Sequence, residues 1–276
     1  MSLIDAVDPP ASLTEAARLV LLNAEPGAKC AASRRFARAW QTGEIAAIGH
    51  ATMPDRPARP SRPLLLPPRD MKRRRVGGLK GRVALLHAVA HIELNAVDLA
   101  WDIVGRFTHE ALPRAFFDDW VAVADDEARH FELLSARLAA LGACYGELPA
   151  HDGLWQSAQK TAYDLLARLA IVPLVLEARG LDVTPAMAAS LRAAGDEASA
   201  ALLDIIYAEE IGHVAAGRHW FEALCAVRGL DPAASFRDLV SQHHGGPPKP
   251  PFNHAARAQA GLAPGFYEMR WASTGD

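Results

Sequence analysis

The sequence predicts an all-α protein of 276 residues. Alanine, leucine and arginine dominate it, and alternating β-branched runs with the period of a strand are absent. Pro113, Gly142, Gly180 and Gly229 punctuate the chain beyond residue 82 into four long segments. Half of the residues are hydrophobic, and 29 basic side chains stand against 32 acidic ones, a formal charge of −3. Such a chain can bury a large core, which excludes disorder as its overall state.

Ser12-Leu13-Thr14-Glu15 is a capping-box pattern that opens a first helix, which fades at Glu25-Pro26-Gly27. A second amphipathic stretch runs over about 28–48, so residues 1–50 are expected to form a helical hairpin. Residues 51–81 read as a Pro/Arg-rich arm, because Pro54, Pro57, Pro60, Pro63, Pro67 and Pro68 cannot continue a helix. Four long helices are expected over 82–107, 114–141, 153–180 and 196–228, filling a bundle of residues 82–230. Thr184-Pro185 and Asp231-Pro232 each put a capping residue before a proline, and a short helix is expected to start at each. Residues 231–276 then form a C-terminal helix and an extended tail packing on the bundle.

Cys30, Cys144 and Cys225 contain no close pair, which excludes a Cys-x-x-Cys zinc ribbon, an iron–sulfur site and a disulfide framework within the chain. A reducing cytoplasm is the expected compartment. The N-terminus lacks a basic and then apolar leader, and apolar runs such as Leu174-Val175-Leu176 fall short of the roughly 20 residues of a membrane span. The charge is unevenly distributed. Residues 56–82 hold ten basic groups (Arg56, Arg59, Arg62, Arg69, Lys72, Arg73, Arg74, Arg75, Lys80 and Arg82) and one acid, Asp70, a local +9 that leaves −12 on the remainder.

Chemistry concentrates in two Glu-x-x-His motifs, Glu127-Ala128-Arg129-His130 and Glu210-Ile211-Gly212-His213. On a helix, residues three apart lie about 60° apart around the axis and about 4.5 Å along it, so the carboxylate and imidazole reach one point. Glu93 and Glu177 are single acids in apolar stretches of the two remaining helices. The midpoint between Glu93 and the first motif falls near Pro113, and that between Glu177 and the second near Gly195, so antiparallel hairpins would bring each set level. Four carboxylates offset two divalent ions, whereas four buried glutamates without metal are costly unless protonated.

This pattern resembles the ferritin-like di-iron carboxylate proteins, in which two helices each give a Glu and two each give Glu-x-x-His. The strings around His87–Asn95, Asp126–Glu132 and Leu176–Asp182, with the arginine-rich arm and Lys249-Pro250-Pro251-Phe252-Asn253, resemble a bacterial family of ferritin-like proteins of unassigned function. The resemblance implies a ferritin-like four-helix bundle whose ligands are Glu93, Glu127, His130, Glu177, Glu210 and His213. These would bind two transition-metal ions, iron first, with manganese or a mixed pair also accepted by such a set. Asp126 and Glu209 match the acids that accept a hydrogen bond from the opposite helix's histidine. Tyr207, one turn before Glu210, is placed to hydrogen-bond near the metals, with core packing as its competing reading.

Two functions follow from the resemblance. One is an O2-dependent hydroxylase or oxidase that takes electrons from an external donor and acts on a small-molecule or RNA-borne substrate, with the tRNA-modifying hydroxylases as precedent. The other is a non-enzymatic bundle that binds metal, handles iron or peroxide, or serves as a scaffold. A rubrerythrin-type peroxidase would need paired cysteines that this chain lacks. The basic arm suits RNA, and equally suits the bundle's own acids. His91 lies about 160° around its helix from Glu93 and is expected to pack rather than ligate; Pro173 should kink the third helix.

Overall fold

The structure, a computed structural model, describes residues 9–67, 70–71 and 76–268. Arg69 and Lys72–Arg75, the densest part of the basic arm, lie outside them. Helix α1 (Leu13–Leu22) starts where Ser12 Oγ accepts from the amide of Glu15 at 3.3 Å. Helix α2 (Pro26–Thr42) stops at Gly43, φ +82°, short of the expected end near 48, because the chain turns back to cap α1. There the amides of Leu13 and Thr14 donate to the carbonyls of Ala47 and Ile48.

Helices α3 (Leu79–Arg106) and α4 (Arg114–Ala140) pack along one another, with α1 against α3 and α2 against α4. After α5 (Gly153–Lys160) comes α6 (Leu165–Ile171), which runs through a π-helical segment (Val172–Glu177) into α7 (Ala178–Ala193). Helix α8 (Glu197–Arg228) packs along α7, the π segment and α4. Three shorter helices close the chain: α9 (Pro232–His243), α10 (His254–Gln259) and α11 (Pro264–Tyr267). The protein is all-helical; among the described residues, the one β feature is an isolated bridge between Leu65 and Ala150.

The third long helix departs from the sequence expectation. It breaks at 161–164, where the Asp164 carboxylate accepts from the amides of Leu166 and Ala167 and starts α6 afresh. It then passes Gly180 and continues to Ala193, so no new helix begins at Thr184-Pro185. Pro185 has no amide to offer the carbonyl of Leu181, and Asn253 Nδ2 from the tail donates to that oxygen at 3.1 Å instead. Pro173 likewise offers no amide one turn back, and the chain there adopts the wider π register. Gly217 on α8 lies against this segment so closely that a Cβ would overlap the Pro173 ring. The tail contains α10 and α11 rather than being wholly extended.

Helix α3 is long and apolar enough to cross a bilayer, yet most of that stretch is buried within the protein. Its polar residues are buried too, each against a specific partner. His87 Nε2 accepts from the amide of Gly146 at 2.9 Å; His91 pairs with the Tyr145 hydroxyl at 2.8 Å and the His151 carbonyl at 3.0 Å. Asp98 binds Lys29 of α2 at 2.5 Å and Arg59 of the arm at 2.9 Å, and Asp102 binds Arg168 of α6 at 2.5 Å and Arg106 at 2.7 Å. Leaving one buried charge of such a pair alone would cost about 3–5 kcal/mol. The face opposite Glu93 is therefore packed on the hairpin and arm. Arg56 and Arg82 pair with Asp152 and Asp196.

Replacing Gly217 by alanine should push α8 off the π segment and destabilise the protein by about 1–3 kcal/mol, read as a lower urea midpoint at unchanged slope. Burial lowers the His91 pKa to about 4; the bond to the His151 carbonyl opposes this, and Arg59, His151 and His87 add to it. Its folded pKa lies below the unfolded value near 6.5, so its neutral burial costs stability as pH falls from about 6.5 toward 4. The stability difference between wild type and His91→Gln should therefore shrink by about 2–3 kcal/mol between pH 7.5 and 4.5, measured by urea unfolding.

Candidate metal centre

Glu127 and His130 of α4, Glu210 and His213 of α8, and Glu93 of α3 point into one buried space, each less than one-tenth exposed. One ligand atom from each of Glu93, Glu127, His130 and Glu210 falls within 4.8 Å of the others. His130 Nδ1 lies 3.1 Å from Glu93 Oε2 and 3.4 Å from Glu127 Oε2. His213 Nδ1 lies 3.0 Å from Glu127 Oε1 and 3.7 Å from Glu210 Oε1. The two Glu127 oxygens thus face the two imidazoles, one each. Glu177, the last residue of the π segment, stands apart from the tight group and lines a cavity with Glu93 and Glu210.

Both Glu127 oxygens, Glu177 Oε2, Glu210 Oε2 and His213 Nδ1 are buried without a hydrogen-bond partner among the described residues. Each such group costs about 1–3 kcal/mol if it stays unsatisfied. Four are carboxylate oxygens and the fifth is an imidazole nitrogen. A cation coordinated by oxygen and nitrogen would satisfy all five together, and this donor set suits iron, manganese or zinc.

The outer faces of the imidazoles are held crosswise. His130 of α4 donates from Nε2 to Glu209 of α8 at 2.6 Å, and His213 of α8 donates from Nε2 to Asp126 of α4 at 3.4 Å. Arg129 then donates to both acids, at 2.5 Å to Glu209 and 3.1 Å to Asp126. These bonds turn each Nδ1 inward. Sequence reasoning missed Arg129; the available signal was its place one turn after Asp126, as the cation inside the first motif. Tyr207 is directed elsewhere, its hydroxyl accepting from Asn253 Nδ2 at 3.0 Å, because its side of α8 meets the tail.

Burial pushes the carboxyls of Glu93, Glu177 and Glu210 upward, with Glu127 charge adding to the first and third and Glu210 charge to the second. Burial acts the same way on Glu127, but the close imidazoles of His130 and His213 override it and hold that carboxyl low. Burial disfavours the imidazolium of His130 and His213, yet the surrounding carboxylates win, raising His130 to about 11 and His213 well above its ordinary value.

The sequence profile of a family described as "Protein of unknown function (DUF455)" matches residues 22–268, a span containing every residue of this centre. The chain belongs to this family. One relative is an uncharacterized protein of Haemophilus influenzae, 43% identical over 217 residues that cover 77% of this chain and 75% of the relative. No solved structure matches the chain. Since the family carries no assigned activity, chemistry must be argued from the site.

Metal can bind these six side chains only after they lose their protons. Burial and neighbouring charge favour the protonated form of Glu93, Glu177 and Glu210, and the carboxylates favour it at His130 and His213, so any divalent ion taken up by these side chains should release protons. Affinity should accordingly be weaker at pH 5.5 than at pH 8. Titration of zinc or ferrous ion into weakly buffered protein with a pH indicator measures both; no proton release would refute the ligand assignment.

Proposed function

We propose that this family member is a ferritin-like four-helix bundle, formed by α3, α4, the α6–π–α7 rod and α8, that holds two transition-metal ions and catalyses an O2-dependent oxidation. The observation that carries the proposal is the pair of imidazole Nδ1 atoms facing opposite oxygens of one buried carboxylate, Glu127, within 3.4 Å. Glu93, Glu127, His130, Glu177, Glu210 and His213 would together hold the ions. Iron is the favoured metal, manganese or a mixed pair the alternatives.

When bound, two ferrous ions would supply electrons and open positions for reducing O2. Hydroxylation consumes a C–H substrate, O2, two electrons and two protons, and yields the alcohol and water; the two electrons come from an external donor. The chain's own part is orientation and exclusion. Asp126, Glu209 and Arg129 fix the ring tautomers, and apolar walls beside Glu93, Glu177 and Glu210 keep bulk water from the reacting centre. Those walls favour oxidation of a bound substrate over storage or scaffolding. An RNA substrate is less favoured, because Arg56 and Arg59 of the arm and Arg82 at the start of α3 already pair with acids. The three free cysteines suit a reducing cytoplasm.

Protein from iron- and manganese-replete medium should contain about two metal ions per chain, and anaerobic ferrous protein should consume O2 with a transient optical change. Glu127→Ala and His213→Ala should each abolish dinuclear loading while leaving helical circular dichroism unchanged. Absence of both transition metal and O2 consumption in the wild type would rule out the proposal.

A further inference from the structure

Beside the Glu/His cluster lies a cavity of about 150 Å³, bounded by α3, α5, the π segment, α7 and α8. That is the volume of an engineered protein cavity that takes up benzene. Glu93, Glu177 and Glu210 form its acidic wall; Ala96, Leu99 and Leu203 are among its apolar lining. Ile92 lies on its rim, 44% exposed beside the buried Glu93, and marks the side of α3 on which the cavity meets solvent.

The charges around the cavity restrict what can enter. Among the described residues Arg179 is the one lysine or arginine lining it, and its Nη1 donates to the carbonyls of Lys249 and Pro251, at 2.8 and 3.0 Å, and lies 3.5 Å from Asp182. An anionic ligand would have to shed its hydration in a space lined mostly by apolar side chains. A cationic ligand would meet the same desolvation cost in this mostly apolar lining. An uncharged apolar group pays neither cost and gains by burial.

We infer that the protein binds a small, uncharged, apolar molecule or apolar substituent, roughly benzene-sized, in this cavity, entering past Ile92 and Met187 so that its inner end lies against Glu93, Glu177 and Glu210. As a substrate class the inference rests on the dinuclear reading.

The test uses full-length protein and four probes (toluene, 1-hexanol, hexanoate and hexylammonium), each titrated calorimetrically, with metal content measured on the same samples. Toluene and hexanol should bind at one molecule per chain, hexanoate and hexylammonium more than about tenfold more weakly. Ala96→Phe fills the cavity and should abolish toluene binding. Met187→Trp, at the half-buried rim, should slow or weaken it and guards against misfolding of the core variant. No binding of either neutral probe, equal binding by the charged probes, or unchanged binding in both variants would overturn the inference. Protein that holds two metal ions yet fails with the neutral probes refutes the inference alone. Protein that binds the probes but no metal refutes the dinuclear reading and leaves the cavity's ligand class standing.

Discussion

A carboxylate removed from water must meet a positive charge or take up a proton, and among the described residues the acids buried as whole residues include Glu93, Asp98, Asp102, Glu127, Asp196 and Glu210. They divide into two kinds. Asp98, Asp102 and Asp196 are answered by lysine or arginine, from Lys29, Arg59, Arg106, Arg168, Arg82 and Arg137. Among the described residues, the ion pairs of Glu93, Glu127 and Glu210 reach only His130 and His213. The first kind ties helices together and is complete within the protein. The second leaves acceptors unsatisfied in the interior, where protons or a cation that is not a side chain would answer them.

Positioning that second group falls to the least regular part of the chain. Proline at 173 denies the helix an amide, and the π segment that results ends on Glu177. Gly217 lets α8 approach this widened turn, which brings Glu210 and His213 to the same level as Glu93 and Glu127. Farther on, Pro185 leaves another carbonyl without its amide, and Asn253 of the tail fills that place while also reaching Tyr207. Two prolines inside one helical rod are thus accommodated by two devices, a register change and a side-chain graft.

Local information in the sequence was enough for the all-helical class, for α1, α3, α4, α8 and α9 to within a few residues, and for the two Glu-x-x-His pairs. Their spacing is itself a geometry, since a helix places residues three apart on one face. Glu93 and Glu177 were legible because an acid in an apolar stretch needs a reason. What escaped reading depends on partners distant in the chain. Asp164 capping α6, Asn253 relieving Pro185, and Lys29 neutralising Asp98 across 69 residues cannot be inferred from either partner's neighbourhood. Arg129 was visible as a residue but not as a clamp, because its second acid lies 80 positions away. Tyr207 sat at a sensible spacing, yet the tail decides which way its hydroxyl points.

Helix α3 presents Glu93 on one side and Asn95, Asp98 and Asp102 on the other, where Arg59, Lys29 and Arg168 hold it. Its rotation about its own axis is consequently set by charges contributed from residues 29 and 59, well upstream of the first long helix. The N-terminal third of the chain is therefore no detachable appendage to a self-sufficient helical core. It is the bearing in which a ligand-carrying helix is seated, and any lineage of this fold that shed it would have to find another way to neutralise Asp98 before Glu93 could keep its aim.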